Sequence, residues 1–143
     1  MRITNLLEQK GQAVVTVPTS ATVAEAVSAL RTHGIGALVV SDDGAHIDGI
    51  VSERDVVRAL SADRPGLLDE PVRVIMTDLV VTCRPEDEVE SLMRAMTERR
   101  VRHVPVVDNG ALCGIVSIGD VVKSRIDELE KDRKELVEYI TAR

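Results

Sequence analysis

The segment GIVSERDVVR, residues 49 to 58, is restated as GIVSIGDVVK at residues 114 to 123. Such a restatement constrains the fold before anything else does, because the chain must be built from two like units. The likeness extends well beyond the phrase. TVPTSATVAEAVSAL at 16 to 30 lies over TCRPEDEVESLMRAM at 82 to 96, and IGALVVSDDG at 35 to 44 lies over VRHVPVVDNG at 101 to 110, with a one-residue slip in the turn that follows. Each copy is about half of the 143 residues. A single unit of about 60 residues buries too little apolar surface to stand comfortably alone, whereas two can close face to face.

Local signals agree within each copy. Thr22 followed by Glu25 is a capping-box pattern, and Val23, Ala26, Val27 and Leu30 recur behind it at helical spacing until Gly34 supplies a stop. The second copy repeats this with Asp87 and Glu90, then Val89, Leu92, Met93 and Met96. After each helix come ALVV or VPVV, then Asp-Asp-Gly or Asp-Asn-Gly, then a strand ending in GIVS. Asn109-Gly110 accepts the positive φ angles of a type I′ hairpin turn. A second helix opens after Ser52 and after Ser117, so each unit reads strand, helix, strand, strand, helix. SADRPGLLDEP at 61 to 71 separates the copies, VRVIMT at 72 to 77 opens the second half much as ITNLL opens the first, and Ile126, Leu129, Leu136, Val137 and Ile140 form an amphipathic end. The expected organisation is residues 1–62, a linker at 63–71, residues 72–126 and a terminal amphipathic helix at 127–143, the helix serving as a packing element or dimer contact.

Composition narrows the chemistry. There is no Phe or Trp and Tyr139 is the one aromatic residue, so any pocket must be lined by aliphatic side chains. A net charge of −6 argues against a nucleic-acid-coating protein. RITNLLEQK lacks the apolar run of a signal peptide and no window approaches a membrane span, which points to a cytoplasmic protein without membrane contact. Cys83 and Cys113 lack metal or redox spacing and read as small buried hydrophobes. His33, His46 and His103 have no zinc-ligand spacing, ERRVRH at 98 to 103 reads as a helix end or a phosphate contact, and GIVSIG is not a nucleophile elbow. No metal site and no catalytic residue is expected.

The repeated Ser-x-x-Asp at a strand-to-helix junction has two readings. Ser52 and Ser117 can cap their helices, with Asp55 and Asp120 reaching back to complement the positive end. The same geometry can hold a ligand, since amides and a hydroxyl at a helix start favour phosphate and a carboxylate one turn in can accept from both hydroxyls of a ribose. Gly49 and Gly114 let the backbone pass close to a neighbour. Gly119 would open room at the second helix start, and Arg54 would bring a cation to the first. Both readings stand on sequence alone.

Paired repeats of this order, each closed by G-I-V-S-x-x-D and the second preceded by RHVPVVDNG, resemble a tandem pair of cystathionine-β-synthase (CBS) domains, a Bateman module, of the stand-alone bacterial type. The resemblance covers residues 1 to about 126. It implies an α+β fold in which two βαββα halves pack through their sheets about a pseudo-two-fold axis, leaving two clefts, and a module that often pairs into a flat dimeric disc. Its ligands are adenosine compounds: AMP first, with ATP, ADP, NAD or S-adenosylmethionine as alternatives, and no catalytic cofactor. Carried over by position, Asp55 and Asp120 match the ribose carboxylates, and Ser52 and Ser117 the phosphate-side hydroxyls. Gly36 and Ala37 match the backbone passing the adenine edge in the first cleft. Arg102 and His103 fall at the corresponding place in the second, and Thr16 and Thr82 lie on the first strand of each copy. Val39 stands where the second copy has Pro105. Two functions follow as expectations: a nucleotide sensor that alters its own or a separate partner protein's conformation, or a ligand-free dimerisation or docking scaffold.

Overall fold

In the computed structural model, which describes residues 1–78 and 80–142, the first copy runs β1 (Thr16–Val17), α2 (Val23–His33), β2 (Ala37–Val40), β3 (Gly49–Ser52) and α3 (Glu53–Ser61). Helix α1 (Ile3–Lys10) precedes it. The second copy runs α4 (Val89–Arg99), β4 (His103–Asp108), β5 (Ala111–Ser117) and α5 (Ile118–Thr141). Strand β2 is central, parallel to β1 and antiparallel to β3, while β4 and β5 form an antiparallel hairpin. Asn109 and Gly110 at its tip have φ of 51° and 78°, the positive pair that the Asn-Gly signal predicts. The α+β architecture of two like halves with a C-terminal helix is thus the one expected.

Three local expectations are corrected. Thr82 lies outside any named strand, because the first strand of the second copy is reduced to one parallel bridge, Cys83 to Val106. The cause is Pro105. In the first copy the Val39 amide donates to the Val15 carbonyl at 3.3 Å, and proline at the matching position has no amide to give. The flanking bonds survive, from Cys83 N to Pro105 O at 3.1 Å and from Val107 N to Cys83 O at 2.8 Å. Asp87 does not cap α4; its carboxylate accepts from the Arg84 amide at 2.8 Å, and the Val89 amide at the helix start donates to the Met1 carbonyl at 2.9 Å. Lastly, the division at residues 126 and 127 falls inside α5, one uninterrupted helix of 24 residues.

The cores reveal an exchange. Ile3, Leu6 and Leu7 of α1 are buried with Leu92, Met96, Val104, Val106, Val116 and Val121, all from the second copy. Conversely Val72, with Ile75 and Met76 packed alongside, joins Val17, Leu30, Leu38, Val40 and Val51 of the first. Each lead segment therefore completes the interior of the opposite half. Backbone bonds repeat the pattern: Val23 at the start of α2 donates to the Glu70 carbonyl, as Val89 of α4 does to Met1. The connection between the copies is itself ordered, with a 3-10 turn at Leu67–Asp69 whose Leu67 packs on Val23 and Ala59.

Glycines permit this contact at matching places. A Cβ on Gly49 would lie 2.6 Å from the Met76 sulfur and 2.8 Å from the Thr77 carbonyl oxygen, and one on Gly114 would lie 2.9 Å from a Leu7 methyl. Thr77 is joined to Ile50 by two main-chain bonds, so it cannot retreat freely. Gly49→Ala is expected to cost about 1–3 kcal/mol in urea denaturation, through overpacking. Gly114→Ala, opposed only by a side-chain end, should cost less.

The helix ends complete the frame. Gly34 closes α2 in the left-handed conformation, and Arg100 takes the same conformation, φ 54°, after α4. The ERRVRH run is thereby a helix end that turns into β4. Cys83 is buried, and burial, with Asp87 and Cys113 nearby, pushes its thiol up to about 12; Cys113 is half-buried against the same core.

Candidate functional site

Both Ser-x-x-Asp segments adopt the capping geometry. The Asp55 amide donates to Ser52 Oγ at 3.4 Å while Asp55 Oδ2 accepts from the Ser52 amide at 2.8 Å. The matching bonds at α5 are 3.1 Å from the Asp120 amide to Ser117 Oγ and 2.8 Å from the Ser117 amide to Asp120 Oδ2. Strand and helix are joined there without a loop, so each carboxylate is fixed one turn inside its helix. Capping and ligand binding do not exclude one another, because a carboxylate has two oxygens and the cap uses one.

A cleft of about 360 Å³ opens beside Asp120, between the halves. The first copy contributes Ala13, Val14 and Val15 ahead of β1, the turn from Gly34 to Gly36, and Ala37 at the start of β2. The second contributes His103, Ile115, Ser117 and Asp120, and Lys10 of α1 completes the wall. Gly36 and Ala37, the adenine-edge candidates of the first cleft, are thus gathered with Asp120 of the second copy. The reason is the packing of the halves: the His103 ring lies against Gly36, 3.1 Å from where a Cβ would stand. The turns are matched, with Glu53 N donating to Gly36 O and Ile118 N to Arg102 O.

Of the other predicted residues, Ser52 and Asp55 gather with Thr77, whose hydroxyl donates to Asp55 Oδ1 at 3.4 Å. Thr16 is half-buried on β1, Thr82 is exposed, Pro105 is buried within β4, and Arg54 and Arg102 are exposed. None of these lines the Asp120 cleft. Gly119 leaves room at the start of α5: a Cβ there would make only ordinary contact with Ser117 Oγ, at 3.6 Å.

Lys10 and Thr77 are the residues sequence reasoning missed. The Lys10 ammonium lies 2.6 Å from Asp120 Oδ2 and 2.6 Å from the Ile115 carbonyl oxygen. Burial pushes the Asp120 carboxyl up, but Lys10 and the Ser117 groups outweigh it and hold the carboxyl below its ordinary value. Burial also holds the His103 imidazole below its usual value, against the pull of Glu53 and Asp120. The arrangement presents an ionised carboxylate, a helix N-terminus, a hydroxyl and one ammonium around aliphatic walls. Such a set can grip a diol and an anion, with a flat apolar group between Val14, Val15, Ile35 and Ile115.

Comparison with known proteins identifies the family. The family profile described as CBS domain matches residues 12–62 and again residues 72–127. The mitochondrial CBS domain-containing protein CBSX3 of Arabidopsis thaliana is 34% identical over 146 residues, covering 96% of this chain and 71% of that protein. The crystal structure of the CBS-domain protein ATU1752 from Agrobacterium tumefaciens superposes with a TM-score of 0.84 at 46% identity, covering 87% of this chain and 99% of that one. The structure of PAE2072 from Pyrobaculum aerophilum, complexed with AMP, has a TM-score of 0.75 at 32% identity, covering 84% and 89%. Duplication, fold and profile converge, and the chain belongs to the CBS-domain family, with two copies of that domain in tandem.

Proposed function

We propose that the chain is a regulatory module that binds an adenosine nucleotide, AMP first among the candidates, in the cleft between its halves, and performs no catalysis there. The observation that carries this reading is the convergence of Asp120, Ser117, His103 and the Gly36–Ala37 backbone on one aliphatic cleft of about 360 Å³. That volume is within the range of small-molecule sites. Asp120 Oδ1 has no hydrogen-bond partner among the described residues and would accept from the ribose hydroxyls. The purine would lie between Val14, Val15, Ile35 and Ile115, with its edge on the backbone at Gly36 and Ala37. The phosphate would meet Ser117 and the first amides of α5. Ser52 and Asp55, with Thr77, would form the second, related site. PAE2072, similar over most of its length, is complexed with AMP, which supports the ligand class.

Regulation requires that the ligand bind one arrangement of the halves, or of a homodimer, more tightly than another. Because the cleft walls come from both halves and from α1, a ligand touching all three biases their relative positions. A cytoplasmic setting accords with the two free cysteines.

The scaffold reading is favoured by one feature: Val122, Ile126, Leu129, Leu136 and Ile140 are exposed along one side of α5 at helical spacing. Thermal melting separates the two. Protein freed of carried-over nucleotide and mixed with millimolar AMP, ADP, ATP, NAD or S-adenosylmethionine should melt later with at least one of them; a ligand at about 100 times its Kd adds about 2.7 kcal/mol. Unchanged melting with all five would leave the scaffold in place of the sensor.

A further inference from the structure

The two lead segments reach the two acidic residues with different chemistry. Residues 72–77 bring a neutral hydroxyl, Thr77 Oγ1, to Asp55, whereas α1 brings the Lys10 ammonium to Asp120. Lys10 is anchored there. Its side chain is 28% exposed, and its ammonium is held from two sides, by Asp120 Oδ2 and by the Ile115 carbonyl. An ammonium has three N–H donors, and these contacts use two.

The charges around the cleft then sum differently from a bare carboxylate. Asp120 is cancelled by Lys10. The half-buried His103 is held towards its neutral form, and the Glu53 carboxylate stands at the rim beside Gly36. A bare carboxylate beside a ribose repels the ligand's own phosphate and attracts cationic ligands. A carboxylate paired with an ammonium can still accept from a hydroxyl through its other oxygen, and the ammonium draws an anion.

We propose that Lys10 is the specificity-determining cation of the Asp120 cleft: it cancels the acid's charge and offers its remaining N–H to phosphate, so the cleft prefers phosphorylated adenosine compounds to uncharged adenosine. This rests on the cleft being a nucleotide site. The selector is therefore supplied by a helix that precedes the first copy in the chain and serves the acid of the second.

The test is isothermal titration of AMP and of adenosine, with every protein carrying Asp55→Asn so that the heat reports the Asp120 cleft. The parent should prefer AMP. Lys10→Met, which keeps an unbranched apolar stem and removes the charge, should weaken AMP about tenfold or more and leave adenosine little changed, while Lys10→Arg keeps the preference. Circular dichroism melting of each variant checks that the fold is retained. An unchanged ratio of AMP to adenosine in Lys10→Met, with Asp120→Asn still weakening both, overturns the selector and leaves the nucleotide reading standing. Equal tightening of both ligands by Lys10→Met also overturns it, since Lys10 would then only compete for the carboxylate. Failure of the parent to bind either compound removes the Asp120 cleft as a nucleotide site and this proposal with it, and failure of the unsubstituted protein as well removes the nucleotide reading altogether.

Discussion

Leu7→Ala is expected to lower the stability of the chain by about 2–5 kcal/mol, and the loss should be felt in the half that Leu7 does not adjoin in sequence. Leu7 is 2% exposed, and its methyls fill the space over Gly114. Glycine there offers no side chain to collapse into the hole, so relaxation of the surroundings recovers little. It belongs to one buried cluster with Leu92, Met96, Val104, Val106 and Val116 of the second copy. Urea denaturation gives the magnitude, and hydrogen exchange read by mass spectrometry gives the location. Protection should fall first across β4, β5 and α4 while β2 and β3 keep theirs. Protection lost mainly across α2, β2 and β3 would contradict the exchanged packing.

Asp120→Asn should weaken AMP on the order of 100-fold and cost the fold far less. A hydrogen bond to a charged acceptor contributes about 1.5–3 kcal/mol against about 0.5–1.5 for a neutral one, and in the proposed pose two ribose hydroxyls meet the same group. The sum approaches 2–3 kcal/mol, which is one to two orders of magnitude in Kd. Asparagine retains one acceptor oxygen for the Ser117 amide, so α5 keeps most of its cap. Asp55→Asn gives the comparison, because it changes the same chemistry where Thr77 takes the place of Lys10. Titration of both single variants and the double shows how binding divides between the sites. Undiminished AMP affinity in Asp120→Asn would mean that the ribose is held elsewhere.

What could be read from the sequence follows the range of each signal. The hairpin at Asn109 and Gly110 and the Ser-Asp pairs at the starts of α3 and α5 are encoded within four residues, and they form as written. The exchange of lead segments is not local. ITNLL and VRVIMT announce that each buries an apolar face, but nothing in either states which half receives it. Lys10 and Thr77 were hidden for the same reason, since their contacts span 110 and 22 residues. The shortened first strand of the second copy was written in the sequence as the change from Val39 to Pro105, yet its effect emerges only once the strand partner, and hence the lost amide, is known. The length of α5 is legible too: after Gly119 no Gly or Pro interrupts the chain, so the helix runs through the end of the second repeat.

The crossed lead segments also limit how such a molecule can be taken apart. A cut or recombination point at residues 63–71 would strip each fragment of a strip of its own interior, exposing Leu92 and Met96 on one and Leu38 and Val51 on the other. Neither piece would be a viable unit, and a foreign half spliced in at that point would arrive with a mismatched lining. Inheritance as an indivisible pair is the outcome that this wiring enforces.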